Sequence, residues 1–565
     1  MPPRLACTKV RRSYIFVYSH AQRPSPLDRV YSSPIMNNVQ PLAYPSSIIV
    51  STEPQQSLTL ERGSSSTWAA ANSDVQVTTL AQGNQLRIEL RGPQSAVRTV
   101  ELRWNRPATD GCRYLGDHWE RGYGDLEWRG RVGERVMPWY FLCFDGAVTH
   151  GYGVKTGASA LCHWKVDGEG ITLVLDVRSG GSGVQLGQRT LVAADVFTRP
   201  GQPDESPFQA ACAFCRLLCD RPRMPAQPVY GGNNWYYAYG SSSHQQILAD
   251  AELIASLSPR GDNRPIMVID EGWQAAHSDA FSGGPWDAGN AKFPDMAELA
   301  RRMKQLGTRP GIWIRPLFTR HDVPQGWRLP TTRFAALFRD TVLDPSVPEV
   351  LDFVAADIRR LVGWGYELIK HDFTTYDLCG LWGFQMADRM TADGWSFADR
   401  GRTTAEIILA LYRAIRTGAG DAMVLGCNTI GHLAAGLVEL QRTGDDTSGR
   451  EWERTRKMGV NTLAFRMPQH GAFFAVDADC AAITPQIPWH LGRQWLDVLA
   501  RSGTPLFVSA DAKAIGPDQR EALRNALSAA AAPQPLAEPL DWLDTTCPRH
   551  WRINGRPHQY AWSEK

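Results

Sequence analysis

Residues 366 to 377, YELIKHDFTTYD, carry an apolar run into Lys370 and Asp372, two positions apart. On an extended strand, residues two apart face the same way, so the ammonium and the carboxylate share one side of the chain where the strand ends. Such a pair is either a buried structural ion pair or a carboxylate kept ionised for nucleophilic attack, and the residues alone leave both readings open. A second acidic group, RTGDDTSGREW, places Arg442, Asp445 and Asp446 after another short apolar run. Capping a following helix needs only one carboxylate, for which Asp446 or Thr447 serves, and no arginine. Two carboxylates from different strands of one site are the equipment of glycoside cleavage. One attacks the anomeric carbon and the other protonates the leaving oxygen, at about 5 to 5.5 Å separation when configuration is retained.

Other polar and aromatic residues recur at the ends of similar runs. Asp270 and Glu271 follow PIMVI, Trp235 follows GGNN, Trp313 lies in RPGIWI, Cys427 and Asn428 follow MVLG, and VDADC brings Asp477 and Asp479. Any one of these is at home in a core or a loop cap. Their recurrence at one end of successive strands is the signal, because a sugar needs several hydrogen-bonding groups for its hydroxyls and an apolar wall for its face. The twenty tryptophans suit both core packing and stacking on sugar C–H faces.

The elements that must position these residues are legible as two patterns. From 41 to 205 short alternating runs such as SSIIVST, QLRIELRG and ITLVLDVRS are separated by Gly, Asn, Asp and Pro, which predicts an antiparallel β-sandwich. FQAACAFCRLLCDR begins a helical linker over 206–228. Over 229–530, apolar strand and amphipathic helix alternate. The eight strands are read at PVYGGNNWYY, PIMVIDEGW, RPGIWIRPLF, YELIKHDF, MVLGCN, LQRTGDDT, NTLAFRMP and TPLFVSAD. This predicts a (β/α)8 barrel in preference to a doubly wound open sheet, because the polar residues cluster at the ends of nearly every strand and not at one switch point. Residues 531–565 form a short terminal β segment, a hairpin turning at Asn554 and Gly555. Residues 1–40 are expected to be a disordered extension, with Met36 the expected start.

Composition excludes several classes. A formal net charge of +2 with 21% charged residues and no basic tract gives no reason to expect nucleic acid or an anionic membrane as partner. No stretch approaches a membrane span. Eleven scattered cysteines fit reduced thiols in a cytoplasmic protein. Cys212, Cys215 and Cys219 are read as buried apolar residues, and the histidines show no metal-ligand spacing, so neither metal nor cofactor is expected.

These residues resemble a known group. YELIKHD resembles the K-x-D nucleophile motif of the clan D glycoside hydrolases, the retaining α-galactosidases of families twenty-seven and thirty-six. GWQ followed by KFPDMAELARRMKQLGTRPGIWI is similar to their stretch from strand two to strand three. RTGDD is similar to their acid/base motif, whose proton donor lies four residues after an arginine. The resemblance covers roughly residues 110 to 515. The amino-terminal sandwich, with GDHWERGYGDLEW its most similar segment, points to family thirty-six.

The resemblance implies Asp372 as nucleophile and Asp446 as acid/base, acting on an oligosaccharide or other glycoside. It implies Asp270 and Lys370 as hydroxyl ligands and Trp235 and Trp313 as the wall. Arg442 and Asp479 would hold the 2-hydroxyl side, Cys427 and Asn428 would line the pocket near that group, and Asp445 and Glu271 complete the substrate-binding set. Glu271 departs from the family's common Asp-Asp pair by one methylene, where the galactose 4- and 6-hydroxyls would be read. The mechanism requires a raised pKa at Asp446, expected from partial burial and the Asp445 and Asp372 charges, with Lys370 and hydroxyl donors keeping Asp372 ionised. Alternatives are a galactosyl transferase of the raffinose-synthase kind, the same chemistry on an α-glucoside or α-N-acetylgalactosaminide, and a non-catalytic sugar-binding protein. The family's dimers and tetramers make a homo-oligomer an expectation of the resemblance alone.

Overall fold

The computed structural model describes residues 42–63, 66–107, 111–278, 281–331 and 341–563. The extension expected at 1–40 lies outside the described residues.

Between 47 and 199 the alternating runs pair into one antiparallel sheet of fourteen strands among the described residues. The period of two is kept: strand Ser47–Glu53 buries Ile48, Val50 and Thr52 and turns the residues between them outward. The sheet curls over on itself. Phe141, on strand Tyr140–Phe144 near one end of the strand order, lies 5.6 Å ring to ring from Trp164, on strand Leu161–Val166 near the other. Helix Pro207–Leu217 follows, started by a capping box in which Ser206 and Gln209 satisfy each other's backbone N–H groups. It lies against strand Thr149–Val154 at Gly151, where a Cβ would sit 2.3 Å from the Phe214 ring, so only glycine allows this approach.

The second sheet is wholly parallel and contains nine strands among the described residues. In chain order the first six are Tyr230–Asn233, Ile266–Ile269, Arg309–Ile314, Leu368–His371, Met423–Gly426 and Leu440–Arg442, each paired with the next. Ala475–Asp477 pairs with the sixth, Cys480–Ile483 pairs with Leu506–Ala510, and that last strand pairs back onto the first. The two edges of the sheet are therefore two pieces of one stretch of chain, interrupted at Ala478 and Asp479, where Asp479 takes φ +70°.

One expected strand is not a strand. NTLAFRMP spans consecutive helical segments, the end of Arg456–Asn461 (wound as a π-helix), Thr462–Arg466 and the start of the 3-10 turn Met467–Gln469. Residues 459–469 are all buried, so the helical period is masked by burial on every side, and a short apolar run of that kind reads equally as strand. The strand in its place, AVD and CAAI, is broken by acids and lacks the apolar continuity that marked the others.

The helices between strands follow the expected amphipathic logic. Thr404–Ala419 starts with Thr403 and Glu406 capping each other and buries Ile407, Ile408, Leu411 and Ile415 at helical spacing. The terminal hairpin turns at Asn554 and Gly555, both at positive φ, as a two-residue turn requires.

The two sheets meet along the segment 117–126. Gly122 N–H donates to the Thr443 carbonyl (2.8 Å), and Asp445 N–H donates back to the Gly122 carbonyl (2.9 Å). The Asn461 side chain bonds both backbone groups of Leu126, and Arg466 pairs with Asp117 at 2.8 Å. A loop of the antiparallel sheet is thereby tied to the C-terminal ends of the parallel strands.

Candidate active site

The fourth parallel strand is buried on both faces and delivers Lys370 to the sheet's C-terminal end. Its ammonium bonds Asp270 Oδ2 at 2.6 Å, just past the end of the second strand. Burial disfavours that charge, but the Asp270 carboxylate overrides it and raises the Lys370 pKa well above its ordinary value. Asp270 is held by the Asn233 amide (2.7 Å), and its own N–H donates to Asn234 Oδ1 (2.8 Å). Lys370 thus pairs with Asp270, and the hydrogen bonds to Asp372 come from elsewhere. The Trp313 indole N–H donates to Oδ2 (3.1 Å) and the Phe373 backbone N–H to Oδ1 (2.7 Å). Phe373 adopts φ +60°, a left-handed conformation that costs a non-glycine residue about 1 kcal/mol or more. That turn directs its N–H back at the carboxylate.

At the end of the sixth strand Arg442, 1% exposed, bonds Asp479 Oδ2 (2.8 Å), Asp446 Oδ1 (3.2 Å) and Cys427 Sγ (3.4 Å). Asp479 also accepts from the Thr447 N–H (2.8 Å), the Thr447 hydroxyl (2.9 Å) and the Tyr236 hydroxyl. It locks Arg442 and the following loop in place. Asp445 binds Arg121 (3.0 Å) and Arg454 (2.7 Å), and Asp446 lies 3.7 Å from Arg121.

This arrangement overturns the expected raised pKa at Asp446. Burial does push its carboxyl up, but Arg442, Arg121, Lys370 and Arg454 together outweigh it and hold the group below the ordinary value. The raised carboxyl is Glu271, pushed up to about 8 by burial and by the neighbouring Asp270 and Asp372 charges.

Asp372 and Asp446 line one cavity of about 340 Å³. Trp235, Asp270, Glu271, Trp313, Lys370 and Asp445 share its wall, which brings eight of the residues singled out from sequence to one place. Cys427, Asn428, Arg442 and Asp479 are not on the wall. All four are buried behind it, each with hydrogen-bond partners of its own. Asn428, for example, donates to Glu120 and accepts from the Tyr376 N–H at 3.0 Å.

The sequence reading missed Arg121, Tyr123, Phe373, Trp382 and Phe384, which complete the lining. Arg121 and Tyr123 come from the antiparallel sheet's loop. Beside them Glu120, fully buried, accepts from Asn428, the Tyr123 hydroxyl and the Gly383 N–H (2.7 Å). The signal was present in GDHWERGYGDLEW, a charged and aromatic segment with glycines for close approach, but nothing in it names the residues it would meet.

No protein-family model and no curated protein matches the sequence. Solved structures do match in fold. An alpha-galactosidase from Thermus thermophilus, in complex with p-nitrophenyl alpha-D-galactopyranoside, is 17% identical, with 91% of this chain and 99% of that chain covered and a TM-score of 0.57. A GH36 alpha-galactosidase from Geobacillus stearothermophilus is 14% identical over 86% of this chain and 76% of that one, with a TM-score of 0.59. An alpha-galactosidase from Lactobacillus brevis is 13% identical over 85% and 72%, with a TM-score of 0.54. At these identities the likeness is one of fold.

Proposed function

We propose that the chain is a retaining, exo-acting α-galactosidase. The catalytic domain is a (β/α)8 barrel over 229–530. It is preceded by a β-sandwich over 41–205 and a helical linker over 206–228, and followed by the β segment 531–565. The observation that carries this reading is that Asp372 and Asp446, brought from the fourth and sixth parallel strands, line one cavity with Lys370, Asp270 and three tryptophans. The fold shared with alpha-galactosidases supports it.

In the first half-reaction Asp372 Oδ attacks carbon one, and the bond to the leaving oxygen breaks as Asp446 gives that oxygen a proton. In the second, water attacks carbon one, Asp446 takes its proton, and the Asp372 ester is released, with two inversions giving retention. Trp313 and Phe373 hold the Asp372 carboxylate with two N–H donors. Asp446, held low by its cations, suits the base step as it stands and needs a proton for the acid step. Sugar leaving groups are therefore cleaved better as pH falls, whereas a nitrophenolate, a stable anion, leaves with little help.

Cys427 and Asn428 lie behind the wall with their polar groups engaged, which favours a plain 2-hydroxyl over an N-acetyl group. Ten cysteines among the described residues are free thiols, in keeping with a cytoplasmic enzyme, and no helix among those residues is long and apolar enough to cross a membrane. A galactosyl transferase would share both carboxylates, and product analysis at high acceptor concentration separates the two. The deciding experiment is hydrolysis of a panel of aryl α-glycosides with the first-formed anomer followed by NMR. The α-galactoside is expected to be cleaved with retention, and Asp372→Ala to be essentially inactive. Inversion, or near-normal turnover by Asp372→Ala, overturns the assignment.

A further inference from the structure

A second cavity, of about 270 Å³, shares a lining residue with the first. Phe384 belongs to the lining of both and is 63% exposed, which leaves a bare aromatic edge between them. We propose that this second cavity binds the sugar unit on the leaving-group side of the substrate, a reading that rests on the glycosidase function above.

The direction follows from the acid. The group that protonates the leaving oxygen faces the leaving group, and on the Asp446 side stands Arg121 at 3.7 Å, with the Trp382 ring 5.5 Å from its guanidinium carbon. Tyr123, two residues along, packs edge-on against Phe384 at 5.2 Å. Both segments continue into the second cavity, 116–119 and 125–126 from the antiparallel sheet and 383–387 from the parallel one. Phe384 is held in place from below, since the Gly383 N–H donates to the buried Glu120.

The chemistry of the second cavity suits hydroxyls. Arg135 and Arg129, the latter paired with Glu127, supply donors, and the exposed Asp125, bonded to His118 at 2.8 Å, supplies an acceptor, whereas both oxygens of Asp117 are taken by Arg466 and Gln469. Mixed donors and acceptors beside an aromatic face fit a neutral polyol ring better than an anion. Arg135 donates to the carbonyls of Tyr114 (2.9 Å) and Glu127 (3.2 Å), and burial together with the Arg129 charge pushes its guanidinium down to about 10. Ligand oxygens would relieve that partly buried charge. The cavity has about four fifths of the first one's volume, room for one ring where the first holds one.

The test compares kcat/KM on p-nitrophenyl α-galactoside, whose aglycone carries no hydroxyls, with that on raffinose and stachyose. Arg129→Ala, at a half-exposed side chain, and Arg135→Gln are the variants, with thermal midpoints as the folding control. Each is expected to lose about tenfold on the oligosaccharides, the worth of one charged hydrogen bond, and less than about twofold on the nitrophenyl substrate. Unchanged kinetics on all substrates, or equal losses on all, overturns the subsite while leaving the glycosidase reading intact. A wild-type enzyme inert toward every substrate overturns that reading and the subsite with it.

Discussion

Glu271→Gln isolates the most perturbed carboxyl of the cavity. In the folded protein Glu271, 15% exposed, keeps its proton to about pH 8 because ionisation would place a third negative charge beside Asp270 and Asp372 in a buried setting, with Arg315 and Lys370 offsetting only part of this. In the unfolded chain the same group ionises near its ordinary 4.5. Between those pH values the folded state holds a proton that the unfolded state has released. The stability this group contributes is therefore complete below about pH 4.5 and is lost as pH rises to about 8. The difference between 4.5 and about 8 corresponds to about 5 kcal/mol at about 1.4 kcal/mol per pH unit, of which about 4 kcal/mol falls between pH 5 and pH 8. Gln keeps the shape and removes the titration. Urea unfolding of both proteins at pH 5 and pH 8 reads the effect directly: the wild type is expected to lose about 4 kcal/mol more than the Gln variant over that interval. Parallel pH dependence in the two proteins, within about 1 kcal/mol, refutes the argument, whatever the chain's substrate proves to be.

Three further outcomes follow from the same geometry. Arg121→Met removes one of the cations that hold Asp446 down, so the carboxyl titrates at higher pH and the alkaline limb of kcat/KM on raffinose moves up, whereas an unmoved limb shows that Arg121 does not act on Asp446. Trp313→Phe deletes the 3.1 Å indole bond to Asp372 and is expected to lower kcat by about ten- to a hundredfold, the worth of about 1.5–3 kcal/mol for a bond to a charged group, with retention unchanged. Arg315→Met breaks the buried bidentate pair with Asp377, whose side chains are 4% and 0% exposed, and is expected to cost about 3–5 kcal/mol in urea unfolding because a charge is left without its main partner.

The sequence alone determined the parts that depend on local spacing. A period of two puts Lys370 and Asp372 on one side of a strand, and the acids and tryptophans after other apolar runs fall at the same end of a parallel sheet because every strand runs the same way. Eight of the twelve residues chosen on that basis line one cavity. Tertiary structure decided what spacing does not encode. Thr462–Arg466 is helix, but burial on every side erases the polar face that would have marked it in the sequence, and the strand expected there lies further on, split at Asp479. The Glu120 to Asn428 bond joins residues 308 apart, and neither partner's neighbourhood names the other. Asp446 is held low and Glu271 pushed high by charges gathered from distant segments, Arg121 and Asp372 among them. A residue's type and position in a strand are properties of its own segment, whereas its protonation and its place on or behind a wall depend on the distances to everything the fold brings near it.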